Sequence, residues 1–338
     1  MIEDKKKENL LDRYTFIDLF CGIGGFHLAL SSFGAKCVFA SDIDKEACKV
    51  YESNFNLKPQ GDITKISAKT IPAHDILCAG FPCQPFSISG NQQGFDDEQG
   101  RGQLFFDIVR IAGYHKPKVL LLENVKHFEK HDEGKTITRV KEELKRIGYT
   151  VFCKVLCASD YGVPQQRNRI YIVAFRNELK IKEFSFPEPR KDFKVLKDVL
   201  IKTADNAITG KYTIDRECVV DKTPKQPKRS LIRIGQVGLG RQGERIYSIE
   251  GQSVTLSSQG GGLGGKTGMY LICDEVRKLY PRECARLMGF PDWFELADTQ
   301  EKNYKQFGNS VVVDVLQYII EKIGIELQLC EKAESERL

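Results

Sequence analysis

The first half of the chain alternates short, nearly continuous apolar runs with amphipathic stretches: YTFIDLF, GFHLALSSFG, CVFASDID, KEACKVYESNF, HDILCAGF, LFFDIVRIAGYH and KVLLLENV. Apolar runs of that kind are what strands need when helices cover both faces of a parallel sheet. The rhythm therefore predicts βαβ units and an open α/β sheet. After FKVL the texture changes. Residues 235–268 hold eleven of the 29 glycines and follow the basic, proline-broken stretch DKTPKQPKRSLIR. Such a segment cannot be helical throughout and predicts short strands, tight turns and loops in a smaller domain. Helical texture resumes from Tyr280 with RECARLMGF and SVVVDVLQYIIEKIG, and the tail CEKAESERL is expected to fray.

Composition narrows the class. With 338 residues, 41% hydrophobic and 29% charged, the chain is neither disordered, collagenous nor a coiled coil. No apolar run approaches the ~18 residues of a membrane span. The start MIEDKKKENLLDR has no apolar signal segment, so a cytoplasmic location is expected. Eleven cysteines without a C-x-x-C pair argue against a disulfide framework and a structural zinc site, so no metal is expected. The net charge of +5 is unevenly spread: residues 191–280 carry 16 Lys and Arg against 10 Asp and Glu, and the remainder is almost neutral.

FIDLFCGIGGFHLAL reads as a strand, a turn containing Gly22, Gly24 and Gly25, and a helix, which is where a nucleotide-type cofactor binds. The glycines do not fit G-x-G-x-x-G, whose spacing suits a pyrophosphate at a helix N-terminus, and this disfavours NAD or FAD. The strand CVFAS ends in Asp42 and Asp44, where a carboxylate can take both ribose hydroxyls. Asp62, in GDIT after a third candidate strand, is placed to bind an adenine amino group. Glycines and carboxylates without a phosphate cradle fit S-adenosylmethionine better. The plainer alternative is that the glycines only permit packing and the acids are solvated strand ends.

HDILCAGFPCQPFSISG sets Cys83 just beyond the carboxyl end of a strand, the rim where open α/β sheets bind ligands. KVLLLENV brings Glu123 and Asn124 to the same rim, and YGVPQQRNRIYIVAF carries Arg167 and Arg169 at alternate positions entering a strand, so that they share a face. Taken singly, a cysteine is more often a small buried apolar residue, a strand-end Glu a helix cap, and an Arg pair a surface ion pair.

Together these segments resemble the cytosine-carbon-5 DNA methyltransferases in order: FIDLFCGIGG, GFPCQPFSISG, LLLENVKHF, YGVPQQRNRIYIVAF, RECARLMGFPDWF and YKQFGNSVVVDVL. GRQGERIYSIEG, with the basic stretch before it, also resembles the target-recognition region of GCGC-specific bacterial modification methyltransferases. The resemblance implies an α/β, Rossmann-like S-adenosylmethionine-dependent methyltransferase fold with a smaller, mostly β/loop target-recognition domain. Residues 1–192, completed by 304–338, would bind cofactor and catalyse; 193–280 would read DNA; 281–303 would form a hinge. The catalytic set would be Cys83, Glu123, Arg167 and Arg169. By the resemblance, Cys83 would add to carbon 6 of cytosine, Glu123 would hold nitrogen 3, Arg169 would contact oxygen 2, and Arg167 would support the loop or a phosphate. The cofactor would lie against Phe20, Gly22, Gly24, Gly25, Asp42, Ile43, Asp62, Ile63, Pro82, Asn309 and Ser310. Many relatives place an aromatic residue where this chain has Ile43, which bears on cofactor affinity.

Because a base inside a duplex cannot offer carbon 6 to a thiol, the target cytosine must be flipped out. The resemblance assigns DNA contacts to Ser87, Ser89, Arg241, Gln242, Arg245, Tyr247 and Gly262. Gln242 and Ser89 would fill the vacated space, and Arg245 would grip guanine. Ser87, Ser89 and Gly90, Gly94, Gly100 and Gly102 bracket a stretch suited to closing over the DNA as a lid. For the glycine-rich segment the plainer alternative is a merely flexible surface loop. Expected partners are double-stranded DNA and a restriction endonuclease acting on the same site, with a monomer sufficing for one strand at a time. Three rivals remain at this point: a tRNA methyltransferase of the same family, a catalytically silent DNA-binding relative, and a Rossmann oxidoreductase.

Overall fold

The computed structural model of the chain describes residues 9–81, 103–202, 212–221, 224, 226–258 and 267–335. In chain order the strands of its larger sheet are β1 (Thr15–Leu19), β2 (Lys36–Ser41), β3 (Ile76–Gly80), β4 (Val119–Val125), β5 (Tyr149–Cys157) and β7 (Asn168–Arg176), arranged β2-β1-β3-β4-β7-β5. The short β6 (Gln165–Gln166) precedes β7. Strands β1 to β4 are parallel, as the apolar runs predict, and β7 is antiparallel to both its neighbours.

Both faces of this sheet are buried, and the alternation along each strand divides its side chains between two cores. Phe16, Cys78, Leu121 and Val173 face one side, where α1 (Gly25–Ser31) contributes Phe26 and Leu30. Ile17, Leu77, Leu120 and Ile172 face the other, against Ile108 and Ala112 of α3 (Gln103–His115) and Val140 and Leu144 of α4 (Lys135–Arg146). Helix α2 (Lys45–Phe55) follows β2 and is capped by Asp44, whose side chain accepts from the backbone amides of Glu46 and Ala47.

The strand expected before Asp62 is not there. Helix α2 ends at Asn56, in left-handed geometry with φ 50°. Residues 57–62 then form no ladder, although Gln60 N donates to Ala40 O at 2.9 Å. Asp62 instead caps a short turn of 3-10 helix, Ile63–Lys65.

A second sheet of β8 (Cys218–Val220), β9 (Arg233–Val237), β10 (Arg245–Ser248), β12 (Met269–Ile272) and β13 (Glu275–Arg277) has the order β13-β12-β10-β9-β8. Between them β11 (Ser253–Val254) pairs with β6 and stitches this region to the larger sheet's entry into β7. Chain segments expected to lie apart from the catalytic core are part of it. Leu196, Val199 and Leu200 share the α1-side core. Helix α5 (Pro281–Leu287) buries Cys284, Ala285 and Leu287 there, with Met288, Phe290 and Phe294 following, so most of the expected 281–303 hinge is tightly packed. After α6 (Gln300–Asn309), the long α7 (Val313–Ser335) returns over α1 with Leu316, Ile319, Ile320 and Ile323.

Where β13 meets α5, Arg277 and Glu283 form a buried two-pronged ion pair, both bonds 2.8 Å. Glu283 also accepts from Tyr280 N at 2.8 Å and Ile201 N at 3.2 Å, and the Tyr280 ring lies 4.0 Å below the Arg277 guanidinium. Removing one partner strands the other charge in the core, at a cost of about 3–5 kcal/mol. Glu283→Ala should lower the melting temperature by roughly 6–15 °C, whereas Arg277→Met with Glu283→Leu should recover most of it. A loss below about 2 °C for the single change would contradict this picture of the joint.

Candidate active site

One cavity of about 800 Å³ opens at the carboxyl ends of the parallel strands, between the loops after β1 and β3. Those two strands are neighbours in the sheet while the chain between them crosses to β2, and such a switch point is where open sheets bind ligands. Phe20, Gly22, Asp42, Ile43, Asp62, Ile63, Asn309 and Ser310 line the cavity, and so do Glu123, Arg167 and Arg169. The donor side and the chemical side are therefore one continuous space.

On the donor side, Phe20 holds φ 54°, an unusual backbone state for an aromatic residue, as the chain turns out of β1. The Asp42 carboxylate ties this turn to the end of β2, accepting from Gly22 N and Asp44 N, each at 2.8 Å. Burial pushes the Asp42 carboxyl up, against the pull of those two amides. Asp62 is held below the usual carboxylate range by the Thr64 hydroxyl, which donates to it at 2.8 Å. Ile43 lines the cavity and is 75% exposed.

Two of the three loop glycines are required by packing. A Cβ on Gly24, whose φ is 90°, would strike the Phe55 ring, and one on Gly25 would meet Val311 Cγ2 at 2.5 Å; neither residue lines the cavity. Gly22 does line it, with nothing within 4 Å of where a Cβ would stand. Packing alone therefore already demands glycine at positions 24 and 25.

The reversal of β7 builds the chemical side. Running against β4, it delivers its first residues to the rim where β4 ends: Glu123 stands opposite Tyr171, and Val125 opposite Arg169. The Arg169 Nε atom lies 3.0 Å from Glu123 Oε1, a charge contact whose alignment leaves that oxygen without a hydrogen bond. Burial pushes the Glu123 carboxyl above its ordinary range even though Arg169 and Arg167 both oppose it. A carboxyl so placed is a candidate for exchanging a proton with a group bound in the cavity. Asn124, next in the strand, donates to Phe81 O at 2.9 Å and so fixes the chain as it leaves β3.

Of the two roles expected for Arg167, its contacts match support of the surrounding loops and not a phosphate contact. It is 2% exposed and donates to three backbone carbonyls: Leu256 at 3.0 Å, Gly308 at 3.1 Å and Ser310 at 2.7 Å. Burial draws its guanidinium down to about 9. A group enclosed in this way cannot reach a phosphate.

Of the expected DNA-reading residues, Arg241 and Gln242 are exposed at a 3-10 turn, Gln242–Glu244, between β9 and β10, and Arg245 opens β10 half-buried. Tyr247 is in the core: it is 7% exposed, with its ring 6.1 Å from that of Tyr270. Strand alternation puts Ile246 in the small sheet's own cluster and turns Tyr247 toward the larger one, so a surface role is ruled out by its packing. Pro82, Cys83, Ser87, Ser89, Gly262 and the expected lid lie outside the described residues.

Lys305 was missed from the sequence. It lines the cavity and pairs with Asp44 at 2.7 Å, and its position four residues before Asn309 on one helical face was the available signal. The Lys305 ammonium, with the Ala47 and Glu46 amides, outweighs the burial of Asp44 and holds that carboxyl below its usual range. The cavity's donor side thus presents Asp42, Asp44 and Asp62 against one ammonium that is already paired. That balance repels a pyrophosphate and suits a sulfonium cation, so the residues fit S-adenosylmethionine.

The family described as C-5 cytosine-specific DNA methylase matches residues 14–325. Type II methyltransferase M.HhaI of Haemophilus parahaemolyticus is 52% identical over 97% of this chain and 98% of its own. Type II methyltransferase M.HpaII of Haemophilus parainfluenzae is 38% identical over 96% of this chain and 94% of its own. Among solved structures, the Dnmt2 methyltransferase of S. pombe superposes with a TM-score of 0.69 at 24% identity, covering 94% of this chain and 99% of that one; it is a likeness of fold.

Hydrogen bonds to a charged group are worth about 1.5–3 kcal/mol. Asp42→Ala frees the Gly22 turn and removes the carboxylate expected to take the ribose hydroxyls, so calorimetric titration should show cofactor binding weakened roughly 10- to 100-fold. Unchanged affinity would remove Asp42 from the donor site.

Proposed function

This chain belongs to the C-5 cytosine-specific DNA methylase family, as a DNA (cytosine-5-)-methyltransferase that uses S-adenosylmethionine, and from that premise we propose that it methylates the inner cytosine of GCGC as the modification enzyme of a restriction-modification system. The observation that carries the chemistry is the Glu123–Arg169 contact, buried in the same cavity as Asp42 and Asn309. The named relatives are Type II methyltransferases, and a cognate endonuclease cutting the same sequence is the partner this implies.

Carbon 5 of cytosine is too poor a nucleophile to take a methyl group unaided. Cys83 supplies the missing electron density: its thiolate adds at carbon 6, the ring becomes an enamine, and the electron pair moves to carbon 5. Glu123 holds nitrogen 3 and shares a proton with it as that charge develops, while Arg169 grips oxygen 2. S-adenosylmethionine, when bound, supplies the electrophilic methyl group that carbon 5 takes. Loss of the carbon-5 proton to a base then allows the Cys83 bond to carbon 6 to break and restores the aromatic ring. A thiol with an ordinary pKa of about 8.5 is mostly protonated at neutral pH, and a neighbouring cation would favour the thiolate.

Residues 193–280 form the target-recognition region on this reading. Their basic excess attracts phosphate. Gln242, exposed at its turn, enters the space of the flipped cytosine, and Arg241 and Arg245 flank it for phosphate and guanine contacts. Binding must supply the flipping cost, on the order of a few kcal/mol. The segment GRQGERIYSIEG supports GCGC as the target. Cytoplasmic location and a monomeric state complete the proposal; among the described residues no helix is long and apolar enough to cross a membrane.

Cys83→Ser should lower methyl transfer by on the order of 10³-fold or more, with duplex binding retained, because a hydroxyl at the same place is a far weaker nucleophile. Near-normal turnover of that variant would end the covalent mechanism. Bisulfite sequencing of plasmid incubated with enzyme and donor should show modification at the inner cytosine of GCGC; modification centred on another tetranucleotide would refute the assignment.

A further inference from the structure

The hairpin loop that joins β9 to β10 carries an apolar residue at its tip. Leu239 is 78% exposed, the highest value for a large apolar side chain among the described residues, and it belongs to none of their hydrophobic clusters. It sits in a four-residue turn closed by Gly240 N, which donates to Val237 O at 3.2 Å. Glycine, proline, asparagine, aspartate and serine dominate such turns, each for a backbone reason that leucine does not share.

The loop holds this side chain outward. Gly238 and Gly240, on either side of Leu239, have φ of 55° and 69°, a backbone state that other residues rarely adopt. A Cβ on Gly240 would strike the Gln236 and Arg233 side chains. Gln236 ties the base of the loop: its Oε1 accepts from Arg233 Nη2 at 2.5 Å and its Nε2 donates to Gly238 O at 3.2 Å. Arg245 Nε donates to Gly240 O at 3.5 Å, and Glu244 accepts from Arg241 N at 2.8 Å. Leu239 therefore projects from a fixed turn whose neighbours are the guanidinium groups of Arg233, Arg241 and Arg245 against the one carboxylate of Glu244.

An apolar point among cations suits a duplex groove, where phosphates line the walls. On the major-groove edge of the base pairs the apolar group is the 5-methyl of thymine. Guanine presents O6 and N7 in the same groove, and Arg245, which would take them, is bonded to the turn that carries Leu239. GCGC contains no thymine, so a methyl group met by Leu239 belongs to a pair outside the core. We propose that Leu239 contacts the 5-methyl group of a thymine flanking the GCGC core and so sets a preference among sites by their surroundings. This inference rests on the target reading above, and the experiment separates the two.

Steady-state methyl transfer to short duplexes with one GCGC core is the test. The core is methylated beforehand on one strand, so that the enzyme acts on the other strand alone and in one orientation. Thymine is exchanged for uracil, one position at a time, in the pairs adjoining the core; uracil pairs as thymine does and lacks only the methyl group. At one flanking position wild-type protein should show a kcat/KM about three- to fivefold higher for thymine, the worth of one buried methyl group. 5-Methylcytosine in place of cytosine there should give the same rise. In Leu239→Ala the thymine-to-uracil ratio should fall to near one, with the unchanged melting temperature expected for an exposed side chain. Leu239→Met, which stays apolar and reaches as far, should keep most of the ratio. A wild-type ratio of one at every flanking position, with the core still methylated, would overturn the contact alone. So would a ratio that survives in Leu239→Ala. Failure of wild-type protein to methylate GCGC in any context would overturn the target reading as well.

Discussion

Everything at the chemical end of this molecule depends on a carboxyl group and a guanidinium held together in low dielectric by the reversal of one strand. Had β7 run parallel to β4, Arg169 would lie at the opposite edge of the sheet from Glu123. Antiparallel pairing puts Val125 opposite Arg169 and leaves the two side chains diagonal neighbours, 3.0 Å apart. Burial raises the carboxyl's proton affinity while the arginine restrains it. The same reversal starts β7 beside the cofactor wall, which is why Arg167, two residues earlier, can serve as a structural pin.

Much of this was legible in the sequence, for a simple reason. Strands covered on both faces must be apolar nearly throughout, so β1, β3 and β4 announce themselves as FIDL, ILCAG and VLLLENV, and the residues after them fall on the ligand-binding rim. Glu123 and Asp42 could be placed at strand ends on that ground alone. The direction of β7 could not, because an apolar run reads the same whichever way it is laid in the sheet.

Other misplacements have equally local causes. The stretch before Asp62 lacks a partner strand, and hydrogen-bond partners are not written in a single segment. That Gly24 and Gly25 are also demanded by packing against Phe55 and Val311 is not visible in their own segment, because a close approach to a ligand and one to a side chain call for the same residue. Tyr247 sits beside surface residues in sequence and turns inward by strand alternation. The segment after Tyr280 reads as a connector by position, but its apolar residues complete the catalytic core and its Glu283 locks the small sheet to it. These are tertiary facts, fixed by what lies opposite each residue.

The central claim is that a nucleotide swung out of its duplex is attacked by sulfur inside the Glu123 and Arg169 cavity. Duplex oligonucleotides carrying 5-fluorocytosine at the target position test it most directly, because fluorine cannot leave carbon 5 as a proton does and the covalent intermediate is trapped. With S-adenosylmethionine present, the enzyme should form an adduct that survives denaturing electrophoresis, at one equivalent of DNA per chain. Active enzyme that methylates ordinary cytosine yet leaves no such adduct would contradict the account.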